Sequence, residues 1–189
     1  MTQKIFIIGA GRSASSLIKY LINVSVKNNF ELTIGDKDVS LVKDKIDGHK
    51  CASAIQFDVL NETQRISEIQ NADIVISMLP ATLHFIVAKD CLKYKKNLVT
   101  ASYVSKDIQS LNDQAQKQGI ILLNEIGLDP GIDHMSAMKV IDDIKNKGGV
   151  IKSFKSYCGG LVAPEYDTNP WNYKFTWNPR NVVLAGQGI

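Results

Sequence analysis

The chain has 189 residues, with Lys+Arg 22 and Asp+Glu 19, which gives a formal net charge of +3. Hydrophobic residues make up 44% and charged residues 22%, values that exclude a disordered or collagen-like chain and indicate a globular, water-soluble protein. So small a charge excess does not indicate binding to nucleic acid or to an acidic membrane.

Short apolar runs alternate along the chain with longer amphipathic stretches. The runs predict strands at residues 5–8, 31–35, 52–57, 73–77, 97–101 and 120–123. The stretches between them carry apolar residues at helical spacing and predict helices at 12–23, 41–46, 61–70, 82–94 and 105–118. This alternation predicts an α/β fold, a doubly wound parallel six-stranded Rossmann sheet with helices on both faces.

The pattern changes after residue 124. A turn-rich segment at 125–131 precedes a predicted helix at 133–147 and a predicted strand at 150–158. We therefore expect a first domain over residues 1–125 and the start of a second, α+β domain over 126–189. Roughly 65 residues are too few to complete the second domain, so we expect it to be truncated.

Several features bear on the cellular setting. No apolar run approaches the roughly 18 residues needed to span a bilayer, and the first residues do not have the layout of a signal peptide. The three cysteines are odd in number and lack metal-ligand spacing. We therefore expect a cytoplasmic protein with reduced thiols, no membrane contact and no bound metal.

A G-x-G-x-x-A pattern follows the first predicted strand and opens the first predicted helix. Gly9 permits a tight turn, Gly11 allows backbone to approach a pyrophosphate, and Ala14 lets helix and strand pack closely. Arg12 and Ser13 lie in the first helical turn, where free N–H groups bind phosphates. In this context the pattern predicts dinucleotide binding, and a bare strand–helix turn is the alternative.

An acidic residue occupies the position that usually binds the adenosine ribose. Asp36 closes the second strand 25 positions after Gly11, near the usual offset of about 20. A carboxylate there accepts hydrogen bonds from both ribose hydroxyls and repels a 2′-phosphate, which favours NAD. Because Arg12 and Lys37 are cations able to pair with a 2′-phosphate, NADP stays possible.

Further candidates lie where other strands end, since ligands bind beyond the carboxyl ends of such strands. Asp58 ends the third strand, near the expected adenine, although a turn-capping role is an alternative. Ser77 and Leu79 close the fourth strand and are candidate cofactor contacts. Ser102 and Tyr103 follow the fifth and are candidates for hydrogen bonds to a substrate carboxylate or to the nicotinamide amide.

Three motifs in the second half resemble those of the saccharopine dehydrogenase family. Residues 124–134 (NEIGLDPGIDH), 156–165 (SYCGGLVAPE) and 173–180 (YKFTWNPR) are similar to the G-x-D-P-G-x-D-H, Y-C-G-G-L-P-A-P-E and Y-K-F-S-W-S-P-R-G segments of that family. The last two are long and resemble the glutamate-forming members. The departures include Val162 for a usual proline and Asn178 for a serine, and none of them removes a charged group.

The resemblance implies an NAD(P)-dependent oxidoreductase that converts saccharopine to glutamate and α-aminoadipate semialdehyde, or the reverse, in lysine metabolism. Family members are about twice this length or more and commonly dimerise, which implies a homodimer for the full-length parent and an amino-acid substrate as the small-molecule partner. One alternative is a related dehydrogenase that acts on polyamine-type imines. Another is a dinucleotide-binding module or fragment without catalysis.

The resemblance and the substrate chemistry together suggest roles for polar residues of the second half. Arg180 is expected to clamp a substrate carboxylate with its guanidinium fork, and Lys174 is a weaker candidate for the same task. Asp129 is a candidate for proton transfer or for binding a substrate ammonium, with a helix-capping role as the alternative. His134 is a candidate acid–base group with a structural alternative, whereas His84 has no partner pattern and is interpreted as superficial.

Overall fold

The computed structural model describes residues 2–157, 159–160 and 162–174, and within them a six-stranded parallel sheet forms the centre of the protein. The strand order is β3-β2-β1-β4-β5-β6, which is the doubly wound order. The predicted fold class is therefore confirmed. The strands are Gln3–Ile8 (β1), Phe30–Asp36 (β2), Ala52–Gln56 (β3), Ile74–Ser77 (β4), Asn97–Thr100 (β5) and Leu122–Leu123 (β6).

The helices follow the strands as predicted, with differences at their ends. They are Ser15–Asn28 (α1), Val39–Ile46 (α2), Glu62–Asn71 (α3), His84–Lys93 (α4), Lys106–Gln109 (α5), Asn112–Gln118 (α6) and Ile132–Asn146 (α7). Single 3-10 turns precede α1 and α4, where the spacing had predicted α-helix.

The single helix predicted over 105–118 was wrong, because two short helices occupy this stretch. The Ser110 hydroxyl donates a hydrogen bond of 2.6 Å to the carbonyl of Asp107, a local bond that competes with helical pairing.

The strand predicted at 150–158 was also wrong for residues 150–157. Residues 150–157 have no regular structure, and Cys158 lies outside the described residues. A strand needs a hydrogen-bonded neighbour, and the described part of the chain after residue 146 contains no second strand to pair with it. Alternating polarity alone could not reveal that missing partner.

The apolar side chains of β1 are buried on both faces of the sheet. Ile5 and Ile7 belong to an apolar cluster with residues of β2, α1 and α2, whereas Phe6 and Ile8 belong to a second cluster with residues of β4, α4 and β5. Successive side chains of a strand point to opposite faces, so a continuous apolar run marks a strand covered on both sides. This burial holds the carboxyl ends of the strands in a fixed row.

A buried ion pair joins two helices that cover one face of the sheet. Arg65 of α3 contacts Asp90 of α4 through Nε and Oδ2 at 2.6 Å, and its Nη1 donates to the carbonyl of Val59 at 2.6 Å. The two side chains are only 11% and 14% exposed. Loss of either partner would leave the other charge buried and uncompensated.

The chain divides into two compact units, Met1–Met135 and Ser136–Ile189. The first holds the whole sheet, and the second begins within α7. The domain boundary expected near residue 125 stays a prediction. None of the helices among the described residues is long and apolar enough to cross a membrane.

Candidate functional site: the carboxyl edge of the sheet

The turn after β1 requires glycine at one position and leaves open space at another. Gly9 has a φ of +101°, and a Cβ added there would lie 2.9 Å from the carbonyl oxygen of Met78. A Cβ added at Gly11 would meet no heavy atom within 4 Å. The first glycine therefore holds the turn against β4, and the second keeps the space above the turn free.

The start of α1 presents unpaired donors. Within the described residues, no acceptor is recorded for the backbone N–H groups of Gly11, Arg12 and Ser13, and no side chain caps the 3-10 turn or the helix. The Arg12 and Ser13 side chains are exposed, and Ala14 is buried against the sheet. Free N–H groups at the start of a 14-residue helix are suited to donate hydrogen bonds to phosphate oxygens.

The acidic residue at the end of β2 contacts the glycine turn directly. The backbone N–H of Ala10 donates to Asp36 Oδ2 at 2.7 Å, and the N–H of Asp38 donates to Asp36 Oδ1 at 3.0 Å. The carboxylate is half-buried beside the turn. Since each carboxylate oxygen can accept more than one hydrogen bond, Asp36 retains capacity for ligand hydroxyls.

An ion pair lies beyond the ends of β2 and β3. Lys37 Nζ is 3.3 Å from Asp58 Oδ2, and both side chains are largely in water. The N–H of Leu60 donates to the Asp58 carboxylate, and this bond, helped by Lys37, lowers the pKa of Asp58 against the opposing effect of desolvation. Asp58 thus caps a turn and forms an ion pair with Lys37, the residue directly after Asp36.

The ends of β4 and β5 are joined by a buried histidine. Nδ1 of His84 lies 2.8 Å from Ser77 Oγ, and Nε2 lies 2.7 Å from Ser102 Oγ. The Thr100 hydroxyl is farther from the ring, at 3.3 Å from Nε2. Burial lowers the pKa of His84 to about 4, so the imidazole is neutral near pH 7.

The expectation that His84 is superficial was wrong, because the residue is only 2% exposed. The helical spacing contained a signal for this burial. His84 begins the series 84, 87, 88 and 91, whose other members, Val87, Ala88 and Cys91, are buried in the core. The serine partners gave no comparable signal, since they lie 7 and 18 residues away.

Ser77 and Leu79 are predicted to contact a cofactor, but neither side chain is fully exposed to solvent. Ser77 is fully buried with its hydroxyl on His84, and Leu79 is half-buried against the core. Their predicted role stays a prediction.

The segment from residue 124 to 133 folds back onto the end of β5. Backbone N–H groups of Glu125 and Ile126 donate to the carbonyls of Ser102 and Thr100 at 3.0 and 3.3 Å. The segment closes on itself where the N–H of Gly127 donates to the carbonyl of Pro130 at 2.9 Å. The loop of residues 124–133 therefore lies beside the carboxyl end of β5.

This loop brings two predicted site residues together. Tyr103 Oη donates to Asp129 Oδ1 at 3.3 Å, and Tyr103 is 62% exposed. Partial desolvation of the phenol and then the negative charge of Asp129 raise the pKa of Tyr103. The pair can bind a cation at its carboxylate and relay a proton through its phenol.

The other predicted acid–base residue has a local partner. His134 Nδ1 lies 2.8 Å from Asp133 Oδ1, which also accepts from the N–H of Gly131 at 2.8 Å. Desolvation opposes the ionisation of Asp133, but these hydrogen bonds outweigh it and lower its pKa. The His134 ring is largely exposed at the start of α7. A local structural contact and a catalytic role are both compatible with this geometry.

Lys174 and Arg180 are the two residues expected to bind substrate carboxylates. Lys174 belongs to the second unit, where its ammonium donates to the carbonyl of Tyr166. Arg180 lies outside the described residues. In the ranges that are described, no cluster of three or more His, Cys, Asp or Glu residues could hold a metal ion.

Two family models match the chain. The model described as saccharopine dehydrogenase NADP binding domain covers residues 5–123, and the model described as saccharopine dehydrogenase C-terminal domain covers residues 127–188. The chain belongs to the saccharopine dehydrogenase family. The resemblance carried by three motifs is thereby confirmed, and the first match spans the six-stranded sheet.

Named relatives support the same family. Saccharopine dehydrogenase (NADP(+), L-glutamate-forming) of Schizosaccharomyces pombe is 40% identical over 181 residues, which are 96% of this chain and 40% of that protein. Alpha-aminoadipic semialdehyde synthase of Arabidopsis thaliana is 38% identical over 99% of this chain but 19% of its own length. The solved apo saccharopine dehydrogenase (L-Glu forming) from Saccharomyces cerevisiae matches with a TM-score of 0.84 at 38% identity, over 97% of this chain and 40% of that one. The chain thus spans two fifths or less of each of these relatives.

Proposed function

We propose that the chain is the dinucleotide-binding part of an oxidoreductase that cleaves or forms the C–N bond of saccharopine. The reaction yields glutamate and α-aminoadipate semialdehyde, or runs in reverse. The observation that carries the proposal is the contact between Asp36 Oδ2 and the N–H of Ala10, which brings the ribose-binding candidate onto the glycine turn. The family and the relatives named above support the choice of reaction.

The residues of the turn fit a bound dinucleotide. We expect the free N–H groups of Gly11, Arg12 and Ser13 to hold the pyrophosphate, and Asp36 to accept from the ribose hydroxyls. When bound, the nicotinamide supplies hydride acceptance or donation, which no amino-acid side chain provides. The protein's task is to orient the reacting groups and to move protons.

The local charges favour NAD(H), although the matched family model and the Schizosaccharomyces pombe relative carry NADP in their names. A 2′-phosphate carries about −1.5 to −2 charges by analogy with other phosphomonoesters. It would lie beside Asp36, and the adjacent Lys37 is already paired with Asp58 at 3.3 Å. The exposed Arg12 is the cation on this edge best able to offset that repulsion.

Proton transfer is assigned to the pair formed by Tyr103 and Asp129. The carboxylate can hold a substrate ammonium, and the phenol can pass a proton to or from the substrate nitrogen through their 3.3 Å hydrogen bond. Ser102 adds a hydroxyl at the same strand end. We expect Lys174 and Arg180 to bind substrate carboxylates and His134 to be a secondary acid–base candidate.

Dinucleotide binding is tested by titrating the folded chain with NADH and NADPH and following the fluorescence of the reduced nicotinamide. Saccharopine-dependent reduction of NAD(P)+ then separates an enzyme from a binding module without turnover. Absence of binding by either dinucleotide to folded protein would refute the proposal.

The cofactor preference is tested with Asp36→Asn, which keeps an oxygen for the N–H of Ala10 but removes the charge. We expect NADPH to gain about fivefold in affinity relative to NADH, since repulsion of about 1 kcal/mol is removed. Asp44→Asn, which removes the same charge from an exposed position of α2, is the matched control. An equal shift in both variants would contradict the local role of Asp36.

A further inference from the structure

The buried imidazole at the ends of β4 and β5 lies between two hydroxyl groups. Ser77 Oγ contacts Nδ1 at 2.8 Å and Ser102 Oγ contacts Nε2 at 2.7 Å. A neutral imidazole has one N–H and one bare nitrogen, so one hydroxyl must donate to the ring and the other must accept from it. The direction of this chain of hydrogen bonds decides what Ser102 offers to a ligand.

Burial of Ser77 determines that direction. Ser77 is 0% exposed, and among the described residues His84 Nδ1 is its hydroxyl's one recorded partner. If Nδ1 carried the proton, the Ser77 hydroxyl would accept a bond while its own hydrogen pointed at no acceptor in a buried place. The cost of an unsatisfied buried donor exceeds the usual free-energy difference between the two tautomers of a neutral imidazole. The Ser77 hydroxyl therefore donates to Nδ1, and the ring proton lies on Nε2.

The consequence appears at Ser102. Its oxygen accepts from Nε2–H, so its own hydrogen is directed away from the ring. Ser102 is half-buried, and its neighbour Tyr103 is exposed, so the hydroxyl lies where the buried network meets solvent. The more distant Thr100 hydroxyl lies 3.3 Å from Nε2 and 3.5 Å from Nδ1, so it can share the ring proton and direct its own hydrogen to Nδ1 without changing this direction.

We propose that His84 is a positioning residue that holds the Ser102 hydroxyl as a hydrogen-bond donor toward an oxygen acceptor of a ligand bound at the carboxyl edge of the sheet. The acceptor is a carbonyl or carboxylate oxygen, supplied either by the nicotinamide carboxamide or by the amino-acid substrate. The ligand part of this proposal rests on the proposed function, whereas the direction of the hydrogen bonds does not.

The direction is tested on the ligand-free chain by ¹⁵N–¹H spectroscopy of the histidine rings, with His84→Gln used to assign the signals. Near pH 7 we expect Nε2 protonated and Nδ1 bare. Ser77→Ala, which removes the donor to Nδ1, should allow the other tautomer to become populated. A ring protonated on Nδ1 or on both nitrogens in the parent chain would overturn the proposal.

The ligand part is tested with a matched pair of substitutions. The amide nitrogen of Gln reaches the place of Nε2 and keeps a donor to Ser102, whereas Asn reaches only the place of Nδ1. We expect His84→Asn to weaken ligand binding as much as Ser102→Ala, about tenfold for one hydrogen bond, and His84→Gln to restore most of it. Equal losses in the two His84 variants, with both chains folded, would contradict the positioning role.

Two titrations identify the source of the acceptor. If the acceptor is the carboxamide oxygen, the thionicotinamide analogue of the dinucleotide binds more weakly than the parent compound, and Ser102→Ala abolishes the difference. If it is a substrate carboxylate, the analogue binds equally and saccharopine loses affinity in Ser102→Ala. If neither ligand binds to any chain, the proposed function and the ligand part fail together, while the tautomer measurement still decides the direction of the hydrogen bonds.

Discussion

Replacing His84 by glutamine should reduce the decrease in the free energy of unfolding that occurs as the pH falls from about 7 to about 4. The pKa of His84 falls from its ordinary 6.5 to about 4 in the folded state because the ring is buried. Between these values the unfolded chain binds a proton that the folded chain does not, so the free energy of unfolding falls as the pH falls. At about 1.4 kcal/mol for each pH unit, the total loss attributable to this ring is ~3 kcal/mol.

The assay is urea unfolding of the parent chain and of His84→Gln at several values between about pH 4 and pH 7. Carboxyl groups titrate in both proteins, so the informative quantity is the difference between the two stability curves. We expect that difference to change by ~3 kcal/mol in favour of the variant as the pH falls. His49→Gln removes an exposed histidine and is the matched control. Parallel curves for the parent and His84→Gln would refute the reasoning.

Four further outcomes follow from the geometry. Gly11→Ala should leave the free energy of unfolding almost unchanged yet weaken dinucleotide binding, because the added Cβ enters the open space above the turn. Gly9→Ala should lower the free energy of unfolding, measured in urea, by about 1–3 kcal/mol, since the φ of Gly9 is +101° and the added Cβ would lie 2.9 Å from the carbonyl oxygen of Met78. Asp90→Ala should cost about 3–5 kcal/mol by the same measurement, because it leaves a buried guanidinium unpaired. Asp129→Asn should shift the titration of Tyr103 to lower pH in ultraviolet absorbance, since the carboxylate charge helps to raise the pKa of that phenol; an unshifted titration would contradict their electrostatic contact.

The elements with a strong local pattern could be predicted from the sequence. Apolar runs such as residues 5–8 predicted buried strands, and the glycine pattern after the first strand predicted the turn that the structure shows there. Both signals depend on neighbouring residues, because strand alternation and tight-turn geometry are properties of short stretches of backbone. Pairing partners lie outside such stretches, which is why the strand expected at 150–158 was wrong.

What the sequence by itself determined is therefore the order of the elements, the glycine turn after the first strand and, through three long motifs, the family. Only the tertiary structure decided which polar groups meet. Tyr103 and Asp129 are 26 residues apart, as are Ala10 and Asp36, and Ser102 lies 18 residues from His84. The parallel sheet aligns the carboxyl ends of its strands, so residues distant in the chain meet at one edge. At that edge burial keeps the imidazole of His84 neutral, and both of its nitrogens form hydrogen bonds with serine hydroxyls.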